Sequence, residues 1–335
     1  MAESTTLLNN GKRMMNDRNG GTADRLTRTD RAVAWMQFVR LPNVFTAAAD
    51  VVMGFLFTRQ IPAGDDWLPF GLLVAASCCL YAGGVGLNDI ADRALDAEER
   101  PERPIPSGRI SLRAARNVVS LLLGLGLCLA GAVAGLRGDA RPLAVAGALG
   151  TAIVLYNLVL KPTIVGPLGM GACRAANVLL GMSLSPGPWG RAHLLAAAAV
   201  GTYIVGVTWF ARQENDESNR LSLFGATVVV LAAIGSLMVL PEWVEPKDLV
   251  VQLRHDLEPW HLLLGFLSLM TAWRAMQAII GPSPDRVKLT VVQMIFTLVI
   301  LDASIAFVVA DVRGALHVLA LLLPAVILSR WIHST

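Results

Sequence analysis

Long apolar runs, repeated along almost the whole chain, constrain the fold of this 335-residue sequence more than any other feature. Hydropathy indicates ten of them, near 41–58, 67–89, 112–135, 142–160, 165–184, 193–212, 221–240, 259–281, 288–311 and 315–332. Several are close to the ~20 residues that an α-helix needs to cross a ~30 Å hydrocarbon core. Charged residues make up only 16% of the chain, and the mean hydropathy of +0.56 is too high for a soluble globular protein of this length. The sequence therefore predicts an all-α, polytopic membrane protein.

The remaining composition excludes several other classes of protein. A net charge of +3, with no basic stripe and interleaved aromatics, argues against nucleic acid as a partner. The four cysteines lie inside apolar runs without a Cys-x2-Cys pair, so we interpret them as small core residues. Residues 1–30 are polar and lack the apolar core of a signal peptide, and we expect a disordered cytoplasmic tail before a membrane domain at 31–335. Ala32 to Val39 is amphipathic and is expected to lie on the membrane surface.

Three oxygen-bearing side chains recur at a four-residue interval directly after the second apolar run. Asn88, Asp92 and Asp96 lie on one face if this segment is helical, because four residues make slightly more than one turn. Arg100 and Arg103 follow at once. Grouped carboxylates with cations nearby suit a magnesium ion and a diphosphate, since magnesium prefers hard oxygen ligands that it shares with substrate phosphates. A solvated acidic helix end would explain the charges but not their single-face spacing.

This segment, with the following Arg103-Pro104-Ile105-Pro106, resembles the first aspartate-rich motif of the UbiA superfamily of intramembrane prenyltransferases. The resemblance implies a bundle of nine or ten transmembrane helices around a central cavity. It also implies magnesium-dependent transfer of a prenyl group from an isoprenyl diphosphate to a hydrophobic acceptor, aromatic or lipid-like. Asn88, Asp92 and Asp96 would be catalytic residues and magnesium ligands, and Arg103 would bind the diphosphate.

The second acidic motif of the superfamily is altered in this chain. The resemblance places Val207 where an aspartate is common in the sixth helix, and Glu214 where another is common. Glu214 is therefore expected to be catalytic, and Glu214 and Glu217, three residues apart, are expected to bind magnesium. The alternative is a solvated acidic turn. The change at Val207 also leaves a second hypothesis open, a degenerate member that binds or helps export an isoprenoid or related lipid without transferring it.

Two further pairs of polar residues resemble positions of the superfamily. Tyr156 and Lys161 match a Tyr-x4-Lys element whose implied role is to contact the diphosphate; the alternative is an interfacial tyrosine and a lysine that reaches for the membrane surface. Arg174 and Asn177 lie inside an apolar run, where a charge should face a cavity or an acidic partner. We expect both to bind the diphosphate, with a salt bridge from Arg174 to Asp50 or to the acidic motifs as the alternative. With Gly181 they are similar to an EboC-like subgroup.

The other charges within apolar runs predict one ion pair and the orientation of the protein. An Arg274–Asp302 pair between adjacent helices is expected, and Asp50 is expected to line the cavity mouth. Basic residues concentrate in the first 40 residues and in the loop after Asn88. Because such loops stay in the cytoplasm, the N-terminus and the motif loops are predicted to face the cytoplasm, with the protein in the cytoplasmic membrane.

Overall fold

The protein is helical throughout the residues that its structure, a computed structural model, describes: 28–59, 64–213, 219–244 and 258–332. No strand occurs in these ranges. Eight stretches of the described chain are long and apolar enough to cross a membrane. The prediction of an all-α, polytopic membrane protein is confirmed. The predicted disordered tail lies mostly outside the described residues.

Thirteen α-helices lie in the described part of the chain. They are α1 (Arg28–Phe38), α2 (Leu41–Arg59), α3 (Trp67–Ala91), α4 (Arg93–Glu99), α5 (Leu112–Arg137), α6 (Arg141–Leu155), α7 (Gly166–Gly181), α8 (Arg191–Ala211), α9 (Arg220–Ser236), α10 (Leu240–Trp243), α11 (Glu258–Ile280), α12 (Pro284–Ala320) and α13 (Leu322–Trp331). One π-helical turn, Tyr156–Leu160, extends α6.

The C-terminal stretch Pro284–Trp331 accounts for two of the predicted spans. Its 48 residues would measure about 72 Å as a straight helix, more than twice the hydrocarbon thickness. The backbone leaves helical geometry at Ala310 and Asp311, and Asp311 has a φ of +60°. A Cβ atom at Gly314 would come within 3.2 Å of the carbonyl oxygen of Ala306, eight residues earlier, so the chain bends sharply here. The two halves of this stretch correspond to two of the predicted spans, and the shorter helix α7 corresponds to another. The described residues thus contain helices at all ten predicted positions.

Helix α1 covers all of the predicted amphipathic segment except Val39, and it begins at Arg28, inside the predicted tail. Ala34 and Phe38 are buried in a small cluster with Ile90 and Ile110, whereas most of the remaining side chains of α1 are partly or fully exposed. Arg40 joins α1 to α2 with a φ of +47°. The guanidinium group of Arg40 pairs with Asp89 on α3.

Helices α2 and α7 are in direct backbone contact. A Cβ atom at Gly54 would collide with the carbonyl oxygen of Val178, and one at Gly181 would collide with that of Val51. Small residues allow such close packing between helices in membranes. The contact places the polar face of α2 against the polar residues of α7.

Candidate active site

The first aspartate-rich motif forms one continuous face across the junction of α3 and α4. The backbone N–H of Asp92 donates to the carbonyl oxygen of Asn88, and that of Asp96 donates to Asp92, both at 2.9 Å. The four-residue rhythm is thus kept although Asp92 lies between the two helices. Nδ2 of Asn88 donates to Oδ2 of Asp92 at 3.1 Å. The structure therefore brings the three side chains together as the spacing predicts.

The π-helical turn after α6 directs Tyr156 and Lys161 into the same cavity. The N–H of Lys161 donates to the carbonyl oxygen of Tyr156, five residues earlier, at 2.8 Å. In an α-helix, residues five apart point about 140° away from each other, but the wider turn brings them closer in direction. Nζ of Lys161 donates to Oδ1 of Asn88 at 2.7 Å and to Oδ2 of Asp92. Lys161 therefore reaches the motif, and the alternative of a lysine that points to the membrane surface is wrong.

Two arginines hold the remaining carboxylates of this region. Arg103 is only 6% exposed, and its Nη1 donates to Oδ2 of Asp96 at 2.7 Å. The same Nη1 atom lies 3.7 Å from Oδ1 of Asp89, which also accepts a hydrogen bond from Nη2 of Arg40 at 3.3 Å. Asp92, Asp96 and Asp89 thus each have a cationic partner. These cationic side chains, held beside the motif, can donate charge-assisted hydrogen bonds to an anionic ligand.

One cavity of about 580 Å³ contains this arrangement, within the roughly 300–1,000 Å³ typical of small-molecule sites. Apart from Arg174 in the middle of α7, its charged lining lies in or beside the short α4 and at helix ends, and includes Arg40, Asp92, Asp96, Arg103, Lys161 and Arg212. Its apolar lining comes from helix interiors and includes Leu149, Ile153, Met170, Ile204, Val207 and Ile295. The cavity can therefore accommodate a ligand with an anionic group and an apolar body.

Arg174 and Asn177 line this cavity but are also bound to α2. Nη1 of Arg174 and Nδ2 of Asn177 donate to the same oxygen, Oδ2 of Asp50, at 2.6 and 2.8 Å. Nη2 of Arg174 donates to Oγ1 of Thr46 at 2.6 Å. The salt bridge from Arg174 to Asp50 is therefore present. Their expected contact with a diphosphate stays a prediction.

Two sequence-based expectations about charges are wrong. Asp50 has no exposed surface and does not line the cavity mouth, because it is held between α2 and α7. Asp302 does not pair with Arg274. Asp302 is buried on the side of α12 that packs against α2, next to Asp50, whereas Arg274 on α11 is exposed.

Residues 51–286, more than half of the sequence, match the UbiA prenyltransferase family. The chain belongs to this family. Its resemblance to the superfamily is confirmed, whereas the EboC-like subgroup stays a prediction.

Curated relatives of this UbiA-family protein include several digeranylgeranylglyceryl phosphate synthases. The one from Metallosphaera sedula is 32% identical over 157 residues, 46% of this chain and 53% of the relative. The one from Methanopyrus kandleri is 32% identical over 162 residues, 47% of this chain and 56% of the relative. The chain thus spans about half the length of the curated relatives that it matches.

Solved structures confirm the UbiA-like fold. A UbiA homolog from Archaeoglobus fulgidus, bound to DMAPP and Mg²⁺, matches with a TM-score of 0.60 at 13% sequence identity. The match covers 86% of this chain and 98% of the homolog. A structure of digeranylgeranylglyceryl phosphate synthase has a TM-score of 0.56 at 18% identity, covering 85% of this chain and 99% of that chain. At these identities the likeness concerns the fold.

Val207, the position at which the resemblance predicts an aspartate, is an apolar residue in the cavity wall. Val207 is 4% exposed and lines the cavity together with Thr208 of the same helix. The side chain at this position thus faces the cavity, but it provides no ligand for a metal. Glu214 and Glu217 lie outside the described residues, and their catalytic and metal-binding roles stay predictions.

Several polar residues of the cavity wall were not found from the sequence. They are Arg40, Asn43, Tyr81, Asn157 and Arg212. Nη2 of Arg212 donates to the carbonyl oxygens of Lys161 and Thr163 at 2.6 and 2.8 Å, which ties the end of α8 to the loop after the π-helical turn. The only local signal was the position of Arg40 and Asn43 at the start of the first apolar run.

The residues of the first motif fit a magnesium ion. Magnesium is usually bound through one or two carboxylates together with substrate phosphates. Asp92 and Asp96 offer two carboxylates and Asn88 an amide oxygen on one face. In the part of the chain that the structure describes, no three His, Cys, Asp or Glu side chains converge on one point. This donor set suits a metal that is shared with a diphosphate.

Proposed function

We propose that this protein is a magnesium-dependent prenyltransferase that moves an isoprenyl group from its diphosphate to a hydrophobic acceptor, aromatic or lipid-like. The observation that supports it best is the combination of two surfaces in one cavity. Lys161 and Arg103 are held by the carboxylates of the first motif, and helix interiors supply apolar walls beside them. An isoprenyl diphosphate has the same division into a charged head and an apolar chain. The relatives named as synthases of a lipid phosphate support this assignment.

Magnesium would be held by Asn88, Asp92 and Asp96, with Glu214 and Glu217 as further predicted ligands. When bound, the metal neutralises negative charge on the diphosphate leaving group. The Archaeoglobus fulgidus homolog, which is bound to DMAPP and Mg²⁺, supports magnesium as the metal and an isoprenyl diphosphate as the substrate.

The residues of the chain would act on the two ends of the substrate. Lys161 and Arg103 donate hydrogen bonds to the diphosphate, with Tyr156, Arg174 and Asn177 as further predicted contacts. The allylic C–O bond breaks and its electron pair leaves with the diphosphate. An electron pair of the acceptor then forms the new bond to that carbon, and the acceptor releases a proton. Apolar side chains such as Ile153 and Ile204 keep water away from the electron-poor carbon.

The test is a direct search for product. Purified protein is incubated with isoprenyl diphosphates of several chain lengths and a cell lipid extract, with and without magnesium, and products are identified by mass. We expect a prenylated product with magnesium only, and none from an Asp92→Asn variant that remains monodisperse. Release of diphosphate without a prenylated product, or a product that is independent of magnesium, would contradict the proposal.

Val207 favours one alternative, a protein that binds or helps export an isoprenoid or related lipid without transfer. A valine in the cavity wall leaves the second metal position weaker than in the family pattern. If only the metal site is weakened, Val207→Asp should lower the magnesium concentration needed for half-maximal diphosphate binding, whereas Val207→Asn should not. Binding of isoprenyl diphosphate by the parent and Val207→Asp proteins, with no product from either, would favour the alternative.

A further inference from the structure

A second group of charged residues lies in the core, outside the set proposed for catalysis. Asp50 on α2 and Asp302 on α12 both have 0% exposed surface and lie next to each other. Both oxygens of Asp302, and Oδ1 of Asp50, are buried without a hydrogen-bond partner. Buried carboxylate oxygens are almost always hydrogen-bonded, so three unpartnered oxygens at one place need an explanation.

The described surroundings provide one positive charge for these two carboxyl groups. Arg174 donates to Oδ2 of Asp50, and Asn177 donates to the same oxygen. The other titratable groups that face the pair are phenols. Tyr203 on α8 donates its O–H to the carbonyl oxygen of Met294 at 2.9 Å, and Tyr81 on α3 lies under the Arg174 guanidinium, 5.6 Å from ring centre to Cζ. Two ionised carboxylates would therefore leave one negative charge unbalanced in the membrane core.

We propose that Asp50 and Asp302 together bind one proton, carried by Asp302, whose O–H donates to Oδ1 of Asp50. Two carboxylates in contact at low dielectric repel each other strongly, so one proton shared by the pair is the stable arrangement. That proton supplies a partner for the orphaned oxygen of Asp50. Asp50 is the ionised member because both of its described donors, Arg174 and Asn177, point to it.

The proton has a consequence for the cavity. Arg174 forms part of the cavity wall, and the acid pair lies directly behind it. With Asp302 neutral, Asp50 and Arg174 balance each other and the wall carries no net charge. With both carboxyl groups ionised, the wall would carry a negative charge within the cavity that holds the aspartate motif. The inference concerns the charge of this cluster and does not depend on the proposed reaction.

The test uses infrared spectroscopy of the purified protein at neutral pH. A protonated aspartic acid gives a carbonyl band that an ionised carboxylate lacks. In the parent protein, we expect this band and expect it to shift when aspartate is labelled with ¹³C, a measurement that needs no variant. In Asp302→Asn we expect the band to be lost, with the thermal midpoint within a few degrees of the parent, because the amide replaces the O–H donor to Asp50.

Asp285→Asn, an exposed position on the same helix α12, is the matched control and should keep the band. Diphosphate affinity should stay within about twofold of the parent in Asp302→Asn, because a neutral group replaces a neutral group. The proposal is overturned if the parent shows no labelled band, or if the folded Asp302→Asn protein keeps it. A thermal midpoint that rises with sodium concentration in the parent, and not in Asp302→Asn, would also overturn it by identifying a metal ion in place of the proton.

Discussion

At the scale of single residues, Lys161 connects two motifs that are far apart in the sequence. Its Nζ atom donates to Asn88 and Asp92, 73 and 69 residues away along the chain. Hydrogen bonds that involve charged groups are roughly twice as strong as neutral ones. The lysine therefore fixes the distance between the π-helical turn and the aspartate face, and it places a positive charge where a diphosphate would meet the motif.

We expect Lys161→Met to weaken the binding of isoprenyl diphosphate by about 10- to 100-fold, since a hydrogen bond to a charged group contributes about 1.5–3 kcal/mol. Lys288→Met is the control, because this exposed lysine on α12 does not line the cavity. Binding is measured by calorimetry in detergent with magnesium present. Equal affinities for the two variants would show that Lys161 does not contact the diphosphate.

At the scale of helices, the contact between α2 and α7 organises the wall of the cavity. Gly54 and Gly181 let the two backbones touch, and this proximity places Arg174 and Asn177 within reach of Asp50. Nδ2 of Asn177 also donates to the carbonyl oxygen of Ala47 at 2.9 Å. The spacing of the two helices therefore determines whether these hydrogen bonds form.

Gly54→Ala should destabilise the protein by about 1–3 kcal/mol, because the added methyl group meets the backbone of α7, which has no side-chain freedom to move away. Gly124→Ala in α5 adds the same methyl group where no atom lies within 4 Å, and it should not lower stability. Thermal unfolding in detergent measures both. A thermal midpoint equal to that of the parent in Gly54→Ala would show that the helices separate easily.

The parts of the site that the sequence predicted are those with a local signal. Asn88, Asp92 and Asp96 follow from the helical repeat, and the apolar runs follow from hydropathy. The expected partner of Asp302 is wrong, because a sequence does not show which side of a long helix meets which neighbour. The sequence marks Arg40 only as one of the basic residues of the first 40. Its partner Asp89 is 49 residues away, and nothing between them indicates the contact.

At the scale of the whole molecule, the arrangement of spans predicts which loops face the cytoplasm. The basic loop after α4 and helix α1 pack together beside the aspartate motif, where Phe38 meets Ile90 and Ile110. Basic loops favour the cytoplasmic side of a membrane. We expect Ser107→Cys to be protected in intact cells from a membrane-impermeant thiol reagent, and Pro188→Cys, in the exposed turn between α7 and α8, to react. Both are made in a background without the native cysteines. The reverse pattern would invert the proposed orientation.

The salt bridge between Asp50 and Arg174 has a consequence for how the protein is made. The two residues are 124 positions apart, so α2 leaves the ribosome long before its partner does. Until then Asp50 is an unpaired acid in a membrane helix, which costs about 2.5–3.5 kcal/mol. We expect α2 to settle in the bilayer only after α7 has been synthesised. The variant Val52→Cys should react faster with a water-soluble thiol reagent in a chain that ends at residue 165, before α7, than in one that ends at residue 190, after it. Asp50→Leu should remove this difference in rate.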